Sequence, residues 1–356
     1  MPARTMVDWD LAVSTASRLA GSGPTITRAE AEATVTELRD GADRSTALVR
    51  EFTGLEGGEG TAPVLVVDRT GWIQANADAF ETLVGPLVAK LHARRGAPGP
   101  MTEAVGSKIT GLEVGGLLGF LSSKVLGQFD PFWTDPGPAG DQAGRLLLVA
   151  PNIVHAEQQL GVDPVDFRLW VCLHEETHRV QFTAVPWMRD HIHAQIDQLI
   201  GGVDLDPARM AAMVGEAVRR IGEVVRGNEN VSLLDLMSTP EQQVVMDRVT
   251  GVMSLLEGHA DVVMDGVGPG VIPSVDKIRR KFDERRKGVG YLDRVLRRLL
   301  GLDVKMAQYR DGAAFVRAVV DKVGMDGFNA VWSEPATLPS KAEIGDPGAW
   351  VRRVHG

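Results

Sequence analysis

The chain has 356 residues, 44% of them hydrophobic and 24% charged, which is ordinary for a globular protein and long enough for one large core or two modest ones. Its 38 basic against 47 acidic residues leave a net charge of −9, which argues against a general nucleic-acid binder. A single cysteine, Cys172, excludes an internal disulfide framework and suits a reducing cytoplasm, the expected location.

The N-terminus, MPARTMVDWDLAVSTASRLAG, carries Asp8 and Asp10 where a signal peptide would have a basic start and an apolar core, so none is read there. Residues 7–20 and 27–54 read as helices, the second introduced by Thr25 or Thr27 and ended by the glycine-rich LEGGEGTAP. That stretch divides an expected N-terminal helical region, 1–60, from a main domain, 61–356. Residues 63–67 suit a strand, and 72–95 have helical periodicity before the break RRGAPGP. Residues 103–127 come nearest to a membrane segment, but Glu113 lies near the middle and the charge-free run 114–123 covers only ten residues. A buried helix whose glycines allow close helix contact fits better, and no membrane span is expected. The stretch DPFWTDPGPAGDQAG reads as a loop, and 145–150 as a short strand whose edge could hold an extended peptide.

Asp163 followed by Pro164 then marks a helix start, with Phe167, Trp170, Val171, Leu173 and Phe182 as its apolar stripe. Within it stands Leu173-His174-Glu175-Glu176-Thr177-His178, an HExxH sequence. A random chain of this composition carries one about once in a hundred. On a helix, residues four apart share a face, so the two imidazoles can converge on one metal ion. Glu175, rotated about 100° from His174, sits beside the metal, where a carboxylate can take a proton from a metal-bound water. Glu176 and Arg179 are charged where uncharged residues are usual, and their spacing suggests a pair on the outer helix face.

A catalytic zinc needs a third protein ligand and leaves a fourth position for water. Gln181 and Ala184 stand where the HExxHxxGxxH subclass has Gly and His, which excludes that subclass. Further on, Glu257-Gly258-His259-Ala260-Asp261 offers an E-x-x-x-D pair on one face of a helical pattern beginning near Pro240. Glu257 can serve as the third ligand, with Asp261 one turn on, placed to fix a ligand histidine's tautomer. Asp190, His191 and His193, on a helix after the break at Pro186, are rivals for that ligand, as is His259 beside Glu257.

HEETH followed by EGHAD resembles the glutamate-zincin metallopeptidases, in which the third ligand and an aspartate that supports a ligand histidine share such a helix. The run GLDVKMAQYRDGAAFVRAVVDKVGMDGFNAVW and the ending LPSKAEIGDPGAWVRRV resemble a narrower family of actinobacterial zincin-like proteins, labelled as associated with biosynthesis of a deazaflavin coenzyme. The resemblance implies zinc held by His174, His178 and Glu257. It departs from the glutamate zincins in the 79 residues between His178 and Glu257.

The remaining chain reads as helix after helix: PARMAAMVGEAVRRIGEVV, the EGHAD helix, SVDKIRRKFDERRKG and YLDRVLRRLLGLDVKMAQYRDGAAFVRAVVDKVG. Its Tyr309 is a candidate donor to a developing oxyanion, as is His259. The expectation is therefore a mainly helical α+β protein of zincin-like fold with a small sheet and a metal core around 145–265. Its function would be zinc-dependent hydrolysis of a peptide or protein substrate, with Glu175 as general base. A zinc-bearing scaffold that binds a partner without catalysis is the alternative, and retention of Glu175 favours the enzyme.

Overall fold

The computed structural model describes residues 6–57, 62–95, 100–135, 143–201, 240–287 and 302–356. The helix expected over 207–225, and the part 291–301 of the one expected over 291–324, lie outside the described residues. Two compact units emerge: Met1–Glu51 with Glu56–Thr183 and Gly268–Ile278, and Phe52–Leu55 with Ala184–Val267 and Arg279–Gly356.

In the first unit, α1 (Trp9–Leu19) begins where the Asp8 carboxylate accepts from the Leu11 N–H at 3.0 Å. Helix α2 (Arg28–Thr53) starts at Thr27 rather than Thr25. The Thr27 hydroxyl accepts from the Glu30 N–H at 3.2 Å, and the Glu30 carboxylate accepts from the Thr27 N–H at 2.7 Å. Those bonds hold the Glu30 carboxyl below its ordinary range.

A three-stranded sheet follows, with β1 (Val64–Val67) parallel to β3 (Ala143–Val149) and β2 (Gly127–Thr134) antiparallel to it, in the order β1-β3-β2. Leu146, Leu147, Leu148 and Val149 are each at most 1% exposed. A run buried without alternation is the mark of a strand covered on both faces, and each such leucine contributes about 1.5–3 kcal/mol of burial. Two sequence expectations change here. Strand β2 begins ahead of the stretch read as a loop and takes in its first five residues, because cross-strand pairing from Gly127↔Leu148 to Asp130↔Arg145 overrides its proline. Strand β3 is central, so its edges are occupied; β1 and β2 are the outer strands among the described residues.

One face of this sheet carries a core of Ala16, Ala20, Trp72, Ile73, Leu118, Leu147 and Val149, contributed by α1, α3 (Arg69–Arg95), α4 (Pro100–Ser122) and β3. As the glycines of 103–127 suggested, α4 lies close against α1. A Cβ at Gly111 or Gly115 would come within 2.6–2.7 Å of the Asp8 or Ala12 carbonyl oxygen. Among the described residues no helix is long and apolar enough to cross a membrane.

After β3 come α5 (Ala150–Leu160), closed by Gly161 in the left-handed region, and α6 (Pro164–Ala184). The expected cap of α6 is in place: Asp163 Oδ1 accepts from the Asp166 N–H at 3.0 Å, with Pro164 as first helical residue.

The second unit holds α7 (Pro186–Gly201), most of α8 (Pro240–Val271) and of α9 (Val275–Lys287), α10 (Leu302–Phe328), two short 3-10 turns, α11 (Lys341–Gly345) and α12 (Pro347–His355). Helices α8 and α10 meet at Gly258 and Gly312, where neither backbone leaves room for a Cβ on the other. Gly258 belongs to the EGHAD segment, so this crossing fixes the backbone that carries Glu257 and Asp261. Trp350, fully buried, donates from Nε1 to the Thr337 carbonyl at 2.8 Å and anchors the C-terminal helix.

Candidate metal centre

Helix α6 is buried on nearly every side: Val171, Cys172, Leu173, Glu175, Glu176, Thr177, Arg179, Val180 and Gln181 are all buried. Between Leu169 and Phe182 the half-buried exceptions are Trp170, His174, His178 and Phe182, and they fall on one stripe at four-residue steps. The two imidazoles of that stripe meet edge to face, with ring centroids 4.8 Å apart and planes at 88°. Their Nε2 atoms stand 3.3 Å apart. Two nitrogens bound at about 2.0–2.1 Å to a tetrahedral zinc are separated by about 3.3 Å, so the pair fits the ion.

The other nitrogen of His178 is also fixed. Its Nδ1 lies 3.0 Å from Gln181 Oε1, an acceptor one turn on in the same helix. An Nδ1–H donated to that oxygen leaves the lone pair on Nε2, the tautomer a metal requires. Gln181 was read from sequence only as a departure from another subclass. The available signal was its i+3 spacing from His178.

Glu175, 8% exposed, points at the start of β2. A Cβ built on Gly127 would come within 2.5 Å of Glu175 Cγ and 2.6 Å of its Cδ. Two residues along the same face of β2, Phe129 stacks on Phe182 of α6 at 5.3 Å between centroids. The strand therefore runs beside the motif helix. Gln128, pointing the other way, accepts from the Trp72 indole at 2.7 Å.

Glu176 and Arg179 do pair, with Arg179 Nε donating to Glu176 Oε2 at 2.7 Å, but not on an outer face. Glu176 is 0% and Arg179 6% exposed. The Thr46 hydroxyl of α2 donates to Glu176 at 3.0 Å, and the guanidinium also reaches the Ala62 carbonyl at 2.8 Å. Helical spacing showed the pair; that α2 and the Ala62 segment enclose it is a tertiary fact. Burial pushes the Glu176 carboxyl up, with Arg179 and Thr46 opposing. The Cys172 thiol, against the Leu38 carbonyl at 3.5 Å, is pushed up strongly by burial, as befits packing rather than nucleophilic work. A cavity of about 570 Å³ lined by Glu37, Glu157 and Arg168 in this unit includes no residue of the motif.

In the second unit, Glu257 and Asp261 are half-buried on one face of α8, one turn apart. His259 is fully buried, stacked on Phe328 at 5.4 Å and edge-on to Trp332 at 5.4 Å. Tyr309 falls on α10, but its side chain lies outside the described residues. Of the rival ligands, His191 lies edge-on to Trp187 at 5.9 Å, its pKa lowered by burial and by Arg248. His193 is paired with Asp197 at 3.3 Å, and Asp190 is exposed on the same helix. His174 and His178 in the first unit and Glu257 in the second are side chains of kinds that could hold a metal ion. Two imidazoles and a carboxylate are a donor set that suits catalytic zinc.

A family model described as zincin-like metallopeptidase matches residues 7–351. A solved crystal structure, of an inferred hydrolase with a novel fold from Chloroflexus aurantiacus, is 32% identical over 98% of this chain and 99% of its own, with a TM-score of 0.70. No curated protein matches the chain.

Proposed function

The chain belongs to the zincin-like metallopeptidase family, and from that premise we propose that it is a zinc-dependent hydrolase of peptide bonds. The observation that carries this reading is the imidazole pair, 3.3 Å apart at Nε2, with His178 Nδ1 occupied by Gln181. Zinc would be held by His174, His178 and Glu257, with Asp261 orienting a ligand histidine, as the resemblance to glutamate zincins implies. When bound, the ion supplies Lewis acidity, acidifying a water and polarising a carbonyl.

The rest of the chemistry falls to the chain's own groups. Glu175, pressed against β2 and almost excluded from solvent, accepts the proton of the attacking water and returns it to the leaving amine. An extended substrate would lie along β2, since that strand is an outer one and runs beside α6, whereas the central β3 has no free edge. Tyr309 is assigned as the donor to the developing oxyanion. His259, enclosed by Phe328 and Trp332, is assigned to packing instead. A cytoplasmic location, which the single Cys172 suits, and an association with deazaflavin coenzyme biosynthesis, which rests on the sequence resemblance, belong to the same reading.

The deciding experiment is Glu175→Gln. It keeps size and helix propensity but removes the base, so zinc content and stability should persist while hydrolysis of a peptide library falls by about 10²-fold or more. Unchanged cleavage in this variant sinks the mechanism. A zinc-loaded parent that cleaves nothing, with a cellular partner bound equally well by both forms, establishes the scaffold alternative.

A further inference from the structure

Gly127 is the first residue of β2 and has no catalytic atom of its own, yet it abuts the group on which the reaction depends. Any side chain there would overlap Glu175, with Cβ within 2.5 Å of Cγ, 2.6 Å of Cδ and 2.9 Å of Oε1. Its three nearest heavy atoms all belong to that one side chain. The backbone of Gly127 does not need glycine, since its φ is not positive and its pairing with Leu148 is ordinary antiparallel geometry. Nor does the strand benefit from it, because glycine in a strand weakens it and often marks a close approach. What remains to explain glycine here is the space it leaves.

We propose that Gly127 is a positioning residue for the general base: the notch left by its missing side chain seats the Glu175 carboxylate and fixes the line along which it takes a proton. This rests on the reading of Glu175 given above. The sheet holds the notch in place. Gln128 is tied to the Trp72 indole on one side, Phe129 is stacked on Phe182 on the other, and the Val149 N–H donates to the Leu126 carbonyl at 2.8 Å. The atoms that a Cβ would displace are the far end of a flexible side chain. Filling the notch should therefore be cheap for the fold and costly for the position of the base, since a displacement of about 1 Å can cost on the order of 10²-fold in rate.

The test uses the full zinc-loaded chain as parent, Gly127→Ala, Glu175→Gln and the double variant. Zinc content, thermal midpoint, hydrolysis of a peptide library and affinity for acetohydroxamate, a zinc chelator that passes its proton to a neighbouring carboxylate, are measured for each. Gly127→Ala should keep about one zinc per chain and the parental midpoint or better, since replacing glycine also restricts the unfolded chain. It should lose about 10-fold or more in kcat, with KM little changed, and about 10-fold in acetohydroxamate affinity. On the Glu175→Gln background it should add almost nothing. Parental rate and acetohydroxamate affinity in Gly127→Ala overturn the proposal, as does an equal loss on both backgrounds, which would mark a general structural role. A lowered midpoint also overturns it, because the backbone and not the carboxylate would then have yielded. Full hydrolysis by Glu175→Gln removes the reading of Glu175 instead. If the parent cleaves none of the peptides, the acetohydroxamate comparison decides alone.

Discussion

Two consecutive helices each carry two histidines, and only one of the pairs can share an ion. In α6 the step is four residues, so both rings lie on one stripe with Nε2 atoms 3.3 Å apart, and Gln181 occupies the remaining nitrogen of His178. In α7 the step is two, which turns the second ring about 200° from the first. His191 then lies against Trp187, and His193 reaches Asp197 in solvent. The number of histidines is equal in the two helices; what differs is their spacing and the groups that the rings meet.

The largest effect should come from breaking the α6 pair. His174→Ala or His178→Ala should reduce bound zinc from about one per chain to almost none by elemental analysis, because two remaining ligands make a poor site. Glu257→Ala should weaken zinc comparably, whereas His193→Ala should leave it unchanged. Full zinc in both α6 variants would remove the site altogether.

Next comes the charge pair that the two helices treat differently. Arg179→Met leaves Glu176 buried without its partner, so urea unfolding should show a loss of about 3–5 kcal/mol. The exposed His193–Asp197 pair is the opposite case, and His193→Ala should change stability by no more than about 0.5 kcal/mol. Equal losses would mean that Glu176 protonates at little cost when Arg179 is gone.

Much of α6 was legible in the sequence, and the reason is local. The Asp163-Pro164 start, the HExxH spacing and the stop before Pro186 all depend on neighbours within a turn or two. The central burial of β3 had its trace in four consecutive apolar residues, although the strand was read as an edge. Strand β2 was not legible because its FDPFWT sequence has Pro131 and turn-like neighbours, and only pairing with β3 makes it a strand. Gly127 left no sign at all: its meaning depends on a side chain 48 residues away in sequence. The Glu257 assignment came from resemblance and helical spacing, with no local feature of α8 to tell a ligand from an ordinary half-buried carboxylate.

A smaller effect should follow from the group that fixes His178. Gln181→Leu removes the acceptor for Nδ1–H with little change in volume, and zinc affinity measured by chelator competition should fall by about 10 to 100-fold. Gln181→Glu keeps an acceptor and should retain affinity near the parental value. If both substitutions are neutral, orientation of His178 comes from elsewhere and the contrast with α7 reduces to spacing alone.

The smallest effect concerns His191 and sharpens the comparison from the α7 side. Burial, reinforced by Arg248, lowers its pKa below the ordinary 6.5, so the folded protein prefers the neutral ring. The unfolded chain therefore takes up the proton first as pH falls. Stability contributed by the neutral ring is fully present above about pH 6.5 and is lost as pH drops through the unfolded and then the folded pKa. His191→Gln cannot titrate, so its thermal midpoint should fall less than the parent's between pH 7.5 and 5.5, with zinc content unchanged at pH 7.5. An identical midpoint shift in both proteins would show that the ring is as accessible to protons folded as unfolded. Loss of zinc at pH 7.5 would be the graver result, because it would move the third ligand to α7 and undo the distinction between the two pairs.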